Sequence, residues 1–218
     1  MCSSDLPTPL PVNREDFYAA LERVATTSAI TVESVIEDLS EDLFGGGKYC
    51  IELLVTDGIT SDDDGVRYRA DMFLVALTGA PSQEDLLYSD DPAQVKDGQR
   101  VWNTWWNENK DRQLFEILDG GLRNSAGISR GYLAMALGSI RDKDCVPLLF
   151  NLLEDKETSV RVKAFSSVKR LLANEAFGYS PDSGLGVLAD SVKQYRDWWA
   201  GVRDSFDFSR PEASLPGK

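Results

Sequence analysis

Histidine is absent from this 218-residue chain. Its absence removes the commonest general base, the commonest metal ligand and every Ser-His or Cys-His nucleophile pair. Cysteine is almost as scarce, occurring at Cys2, Cys50 and Cys145 with no C-x-x-C spacing. Neither a zinc site nor a disulfide framework is therefore expected, and Cys50 and Cys145 read as small buried apolar residues. No apolar run approaches the roughly 20 residues that cross a bilayer, so no membrane partner is expected. Cations are also outnumbered, with 23 Lys and Arg against 36 Asp and Glu for a formal net charge of −13. That balance opposes non-specific binding to nucleic-acid backbones or anionic lipid, which depends on clustered cations. No catalytic residue, metal site or cofactor is assigned, and the chain is read as a non-enzyme.

What is present argues for a folded body. Hydrophobic residues make up 42% of the chain and charged residues 27%, which excludes wholesale disorder. The first six residues, Met1-Cys2-Ser3-Ser4-Asp5-Leu6, are what a GTG start followed by TGC-TCT-TCC-GAT-CT encodes, a string resembling a common sequencing adapter. Residues 1 to 12 are accordingly set aside as a non-native or disordered start. A cytoplasmic location is favoured, although a true N-terminus lost in this way would carry any signal peptide with it.

An internal repeat organises the rest. Val66-Arg67-Tyr68-Arg69-Ala70 is answered 94 residues later by Val160-Arg161-Val162-Lys163-Ala164, and Trp105-Trp106 is answered 93 residues later by Trp198-Trp199. Between these anchors both copies run through a helical stretch, a polar loop with a tyrosine (Tyr88 and Tyr179) and a second helical stretch. Val66, Ala70, Leu74 and Leu77, and likewise Val160, Ala164, Val168 and Leu171, fall on one stripe of a 3.6-residue helix. Gly79 and Pro81 end the first of these helices and Asn174 the second. Asp90-Asp91-Pro92 supplies N-cap chemistry for the first Trp helix.

Shorter helices are expected over about 14 to 28, 32 to 44, 48 to 57, 112 to 119, 127 to 141 and 143 to 154. Gly45-Gly46-Gly47, Asp57-Gly58 and Gly120-Gly121 punctuate them, and a loose tail runs over 209 to 218. The expected division is one unit over 13 to 111 and a second over 112 to 208, each ending in a Trp helix. Asp62-Asp63-Asp64 lacks the downstream Glu and the ligand number of a calcium loop. Together with Asp155 and Glu157, these carboxylates are expected to offset the cations in the first helical turns, within a hairpin or across to its neighbour.

Cys145 to Ala173 resembles a HEAT repeat, with Pro147 in the first helix, an acidic turn at Asp155 and Glu157, and Val160-Arg161 and Ala164 opening the second helix. The likeness extends more weakly to residues 48 to 78. Phe177-Gly178-Tyr179-Ser180-Pro181 before the Trp helix is similar to a feature of bacterial HEAT-repeat proteins. The resemblance implies an all-α fold, an α-α superhelix of the HEAT-like, armadillo-type solenoid class. It is made of two tandem copies of a roughly 94-residue unit. It also implies a protein-protein interaction scaffold whose second helices line a concave partner-binding face.

The expected contacts on that face are Arg67, Arg69, Arg130, Arg161, Lys163, Lys169 and Arg170, with Trp105 and Trp198 as partly exposed anchors. An acidic protein or peptide partner suits such a strip, and a monomer is expected. Two alternatives stay open through the same resemblance. Bilin lyases, which handle tetrapyrroles, resemble this repeat class, and HEAT-like DNA glycosylases bind nucleic acid on a basic concavity.

Overall fold

A computed structural model describes residues 12 to 174 and 177 to 214. Residues 1 to 11, most of the start set aside above, lie outside the described residues, as do 215 to 218 of the tail. The fold is all-α: the described residues form twelve α-helices, one π-turn and two 3-10 turns, with no strand. The chain divides into two compact units, residues 1–71 with 83–111 and residues 72–82 with 112–218.

The first unit opens with α1 (Arg14–Ala25). Asn13 caps it by accepting from the Glu15 backbone N–H at 2.9 Å, and Phe17, Leu21 and Val24 form its fully buried stripe. The helix expected over 32 to 44 is broken at Leu39 into α2 (Val32–Asp38) and α3 (Ser40–Phe44). Next come α4 (Lys48–Leu53) and a π-turn, Leu54–Gly58. Gly58 ends this helical stretch as expected, and a Cβ there would lie 2.6 Å from that of Ala70, so its missing side chain also lets the π-turn approach α5 (Asp64–Thr78). The short α6 (Glu84–Leu87) leads into α7 (Pro92–Asn109), where Asp91 accepts from the Ala93 backbone N–H at 2.8 Å. Trp102 of α7 is 1% exposed, and its indole donates to the buried Asp71 carboxylate at 2.7 Å.

In the second unit, α8 (Leu114–Asn124) starts at a capping box between Gln113 and Glu116 and runs through Gly120-Gly121. This corrects the expected stop at 119. A Cβ on Gly121 would lie 2.5 Å from the carbonyl oxygens of Ala76 and Leu77, so the glycines serve close backbone contact with the end of α5. Two hairpins follow from α8 with α9 (Gly127–Leu137) and α10 (Val146–Leu152) with α11 (Thr158–Leu172). Helices α9 and α11 pack side by side, with α8 and α10 behind them. The left-handed residue that ends α11 is Ala173 (φ 51°), and Asn174 follows it fully buried. Finally α12 (Leu185–Val202) packs on α10, burying Leu188, Val192, Tyr195 and Trp199.

The expected loose tail is ordered as far as Ser214. Pro211–Ser214 forms a 3-10 turn against α11, and the Trp198 indole donates to the Ser214 carbonyl at 2.9 Å. The two loop tyrosines are not equivalent. Tyr88 is 58% exposed, whereas Tyr179 is buried and donates to the Leu153 carbonyl at 2.6 Å. Burial pushes the Tyr179 hydroxyl pKa up.

Candidate partner-binding face

Three arginines sit at the fourth residue of a helix and reach back to the carbonyls just ahead of it. Arg67 of α5 donates from Nη1 to Ser61 O (2.8 Å) and Asp62 O (3.0 Å), and from Nε to Leu87 O (3.0 Å). Arg161 of α11 donates from Nη1 to Asp155 O (2.8 Å) and Lys156 O (3.1 Å), and from Nε to Pro181 O (2.7 Å). The offsets are the same in both: six and five residues back, twenty forward. Arg130 of α9 donates from Nη1 to Ser125 O, again five residues back, at 2.8 Å. Its Nε and Nη2 take the Asp155 carboxylate at 2.6 and 3.1 Å, and Glu157 lies at 3.4 Å. The hydrogen bonds Arg130 gives to Asp155 raise its pKa against the opposing effect of burial.

These contacts correct part of the expected site. Arg67 and Arg161 are 9% and 7% exposed, and their guanidinium groups fasten turns to helices. Neither is a docking contact. The first-turn cation expected to need a carboxylate is satisfied by backbone carbonyls instead, because a guanidinium fork matches several acceptors at once. The Asp155 carboxylate serves the neighbouring hairpin, through Arg130.

The remaining candidates are divided between the two units. Arg170 donates to Met135 O at 3.0 Å and thereby caps the end of α9. Arg69 lies in the first unit with its guanidinium 5.4 Å from the Tyr68 ring centroid. Trp105, half-buried in the first unit, lies between Trp102 and Trp106 at centroid distances of 5.9 and 6.5 Å. Trp198 is half-buried in the second unit among Phe177, Trp199 and Phe206. Both indoles belong to aromatic clusters that hold their helices.

Lys163 and Lys169 are placed differently. A Cβ on Gly131 of α9 would lie 3.1 Å from Lys163 Cδ, so the stem of Lys163 lies against that glycine, with its ammonium 6.0 Å from the Tyr132 ring centroid. The Lys169 ammonium stands 5.3 Å from the Phe165 ring centroid. Lys163 is half-buried and Lys169 exposed, and an aromatic ring lies near each ammonium. Ser159, Val162, Ser166 and Lys169 follow one helical stripe on α11, of which Val162 is 46% exposed. On α9, Ile128 is 72% exposed and lies one turn before Tyr132. Sequence reasoning missed Ile128 and Val162 as exposed apolar residues, since each sits in a helix whose other apolar positions are core.

One further signal was readable in the chain and went unused. Helices α9 and α11 together hold 26 residues with five Lys or Arg and no Asp or Glu. The net charge is partitioned in the same sense. The first unit has 8 Lys and Arg against 22 Asp and Glu, or −14, whereas the second has 15 against 14, or +1. The acidity that opposed anionic partners is therefore a property of the first unit.

On the other side of the second unit, a groove of about 810 Å³ opens between the starts of α8 and α10 and the end of α12. Phe115, Pro147, Phe150, Trp199 and Ala200 form its apolar lining, and Arg196 and Arg203 stand on its rim. Arg196 pairs with Glu154 at 2.5 Å and Arg203 with Asp144.

Among the described residues no cluster of three or more His, Cys, Asp or Glu is placed to hold a metal ion, and no helix is long and apolar enough to cross a membrane. Cys50 and Cys145 are buried free thiols. Burial pushes the Cys50 thiol up to about 12 and the Cys145 thiol up as well. Comparison with protein-family models, with curated proteins and with solved structures finds no match to this chain.

Proposed function

We propose that this chain is a non-catalytic protein-interaction scaffold of the HEAT-repeat type, which holds a partner on the exposed face of α9 and α11. The observation that carries the reading is the pairing of exposed Ile128 and Val162 with ring-supported lysines on two helices that lack any carboxylate. Isolated exposed apolar residues are ordinary, but exposed apolar residues beside cations suit a partner of complementary charge.

The tandem-repeat part of the proposal rests on the arginines. Arg67, Arg130 and Arg161 are 63 and 31 residues apart, at the same helical position, each reaching the carbonyl five residues back. Those spacings are close to multiples of 31, so the 94-residue period is read as three hairpin-sized repeats. A repeat of this length that cannot bury its own apolar face must stack on its neighbours.

The test is affinity capture in cells that carry the gene, using the wild-type chain and a Val162→Asp, Lys169→Glu variant. The proposal expects a captured protein that the variant loses while its thermal melting is unchanged. Equal capture by both chains would refute it. Arg161→Glu is unsuitable for this purpose, because Arg161 is buried in the clasp.

The tetrapyrrole alternative has one observation in its favour, the groove lined by Phe115, Phe150 and Trp199, whose size is within the range of small-molecule sites. A tight coloured complex on mixing the chain with a tetrapyrrole would support it. The nucleic-acid alternative loses its main contacts, since Arg67 and Arg161 are buried and Arg130 is paired with Asp155.

A further inference from the structure

Away from α9 and α11, the groove between α8, α10 and the end of α12 has a chemistry of its own. We infer that it is a binding site for a small organic cation, an amine or quaternary ammonium group carried on an aromatic body. The site is separate from the docking face and does not depend on it.

The apolar part comes from three helices of the second unit. Phe150 of α10 and Trp199 of α12 are 0% and 4% exposed, whereas Phe115 of α8, Pro147 of α10 and Ala200 of α12 are open to solvent. A flat ligand laid against those three would remove their apolar surface from water. The volume of about 810 Å³ suits a small molecule.

The cations of the groove are already engaged. Arg196, Trp199, Ala200 and Arg203 follow one another at i, i+3, i+4 and i+7, so the two arginines flank the apolar stretch along one side of α12 and its last turn. Arg196 donates to Glu154 at 2.5 Å and to Asn151 at 3.1 Å, and Arg203 donates to Asp144. An anionic ligand would have to displace a carboxylate from one of these pairs.

The carboxylates are not all engaged. Asp144 is matched by Arg203, and Glu116 belongs to the capping box of α8, where it accepts from the Gln113 backbone N–H at 3.2 Å. Asp204 differs. Lys143 donates to its main-chain carbonyl at 3.1 Å, and its carboxylate has no hydrogen bond or ion pair among the described residues. It stands just past the end of α12, where the carbonyl end of the helix adds potential of the same sign. The unmatched charge of the lining is therefore negative. A cationic head at Asp204 and an aromatic body on the apolar wall answer both features, and aromatic side chains attract such a head further.

The test is calorimetric titration of the full chain at low salt with three probes that share a ring system: naphthylmethylammonium, naphthylmethanol and naphthoate. The ammonium is expected to bind about three- to fivefold more tightly than the alcohol, near the upper limit of what an exposed ion pair supplies, and the carboxylate least tightly. Asp204→Asn is expected to erase the advantage of the ammonium and leave the alcohol unchanged. Phe115→Ala is expected to weaken both. Asp204 and Phe115 are exposed, so thermal melting of each variant reports whether the fold is kept.

Naphthoate binding as tightly as the ammonium overturns the inference. So does an ammonium preference that survives Asp204→Asn, binding of both probes that is indifferent to Phe115→Ala, or failure of all three probes to bind. Capture of a partner by the α9 and α11 face is untouched by any of these results.

Discussion

At the scale of single residues, two kinds of cation share helix α11 and have opposite roles. Arg161 is buried and gives hydrogen bonds to three carbonyls and to the Thr158 hydroxyl. Arg161→Met would leave those carbonyls without a charged donor, at about 1.5 to 3 kcal/mol per lost charged hydrogen-bond site, partly recovered by water. A net loss of about 2 to 3 kcal/mol in urea unfolding is expected, and a change below about 0.5 kcal/mol would contradict the clasp. Lys169→Met, on the exposed stripe, is expected to stay within about 0.5 kcal/mol of the wild-type chain by the same measurement.

The thiols supply a pH prediction. The Cys50 pKa is raised from 9.0 to about 12 in the folded chain, so the unfolded chain releases that proton first. The stabilisation is complete below pH 9.0 and is lost as pH rises toward about 12, with Cys145 acting in the same direction. In the folded chain at pH 8 both thiols are expected to resist Ellman's reagent until denaturant is added; rapid native labelling of either would contradict their burial.

At the scale of elements, glycine has contrary meanings at different places. Gly121 lies within α8 where a Cβ would sit 2.5 Å from two carbonyl oxygens of α5. Gly201, near the end of α12, has nothing within 4 Å of its Cβ position. Helix propensity alone favours alanine over glycine by about 1 kcal/mol in either helix. Gly201→Ala is therefore expected to raise the urea midpoint slightly. Gly121→Ala is expected to lower it, because backbone carbonyls cannot give way as a flexible side chain can. Stabilisation by both substitutions would contradict the close approach of α8 to α5.

This contrast also marks what was legible beforehand. The periodic stripes of α5 and α11, the Asp91-Pro92 start of α7 and the Gly79 end of α5 follow from local chemistry, and each could be read along the chain. Gly120-Gly121 could not, since its reason lies in carbonyls of α5, and Gly58 was readable as the end of its helix but not as a close contact with Ala70. The break at Leu39 and the π-turn after Leu53 have no comparable local signal.

At the scale of the whole molecule, the net charge of −13 proved a poor guide to the candidate site because it is the sum of −14 in one unit and +1 in the other. Lys163 and Lys169, among the residues expected to bind, have their ammonium groups near the Tyr132 and Phe165 rings. Arg67 and Arg161 were misassigned because their burial is decided by carbonyls that come near only when turns close, as Leu87 and Pro181 do twenty residues downstream. Exposure of Ile128 and Val162 follows from which side of each helix its neighbours cover, and a stripe pattern alone does not reveal that.

The proposed docking face is specific to α9 and α11, and photo-crosslinking in cells tests it most directly. A benzophenone amino acid would be placed singly at Val162, at Ile128 and, as control, at Val187, which is 56% exposed on α12. The account predicts the same crosslinked partner from Val162 and Ile128 and none from Val187. Adducts from Val187 alone, equal adducts from all three, or none from Val162 and Ile128 would contradict it.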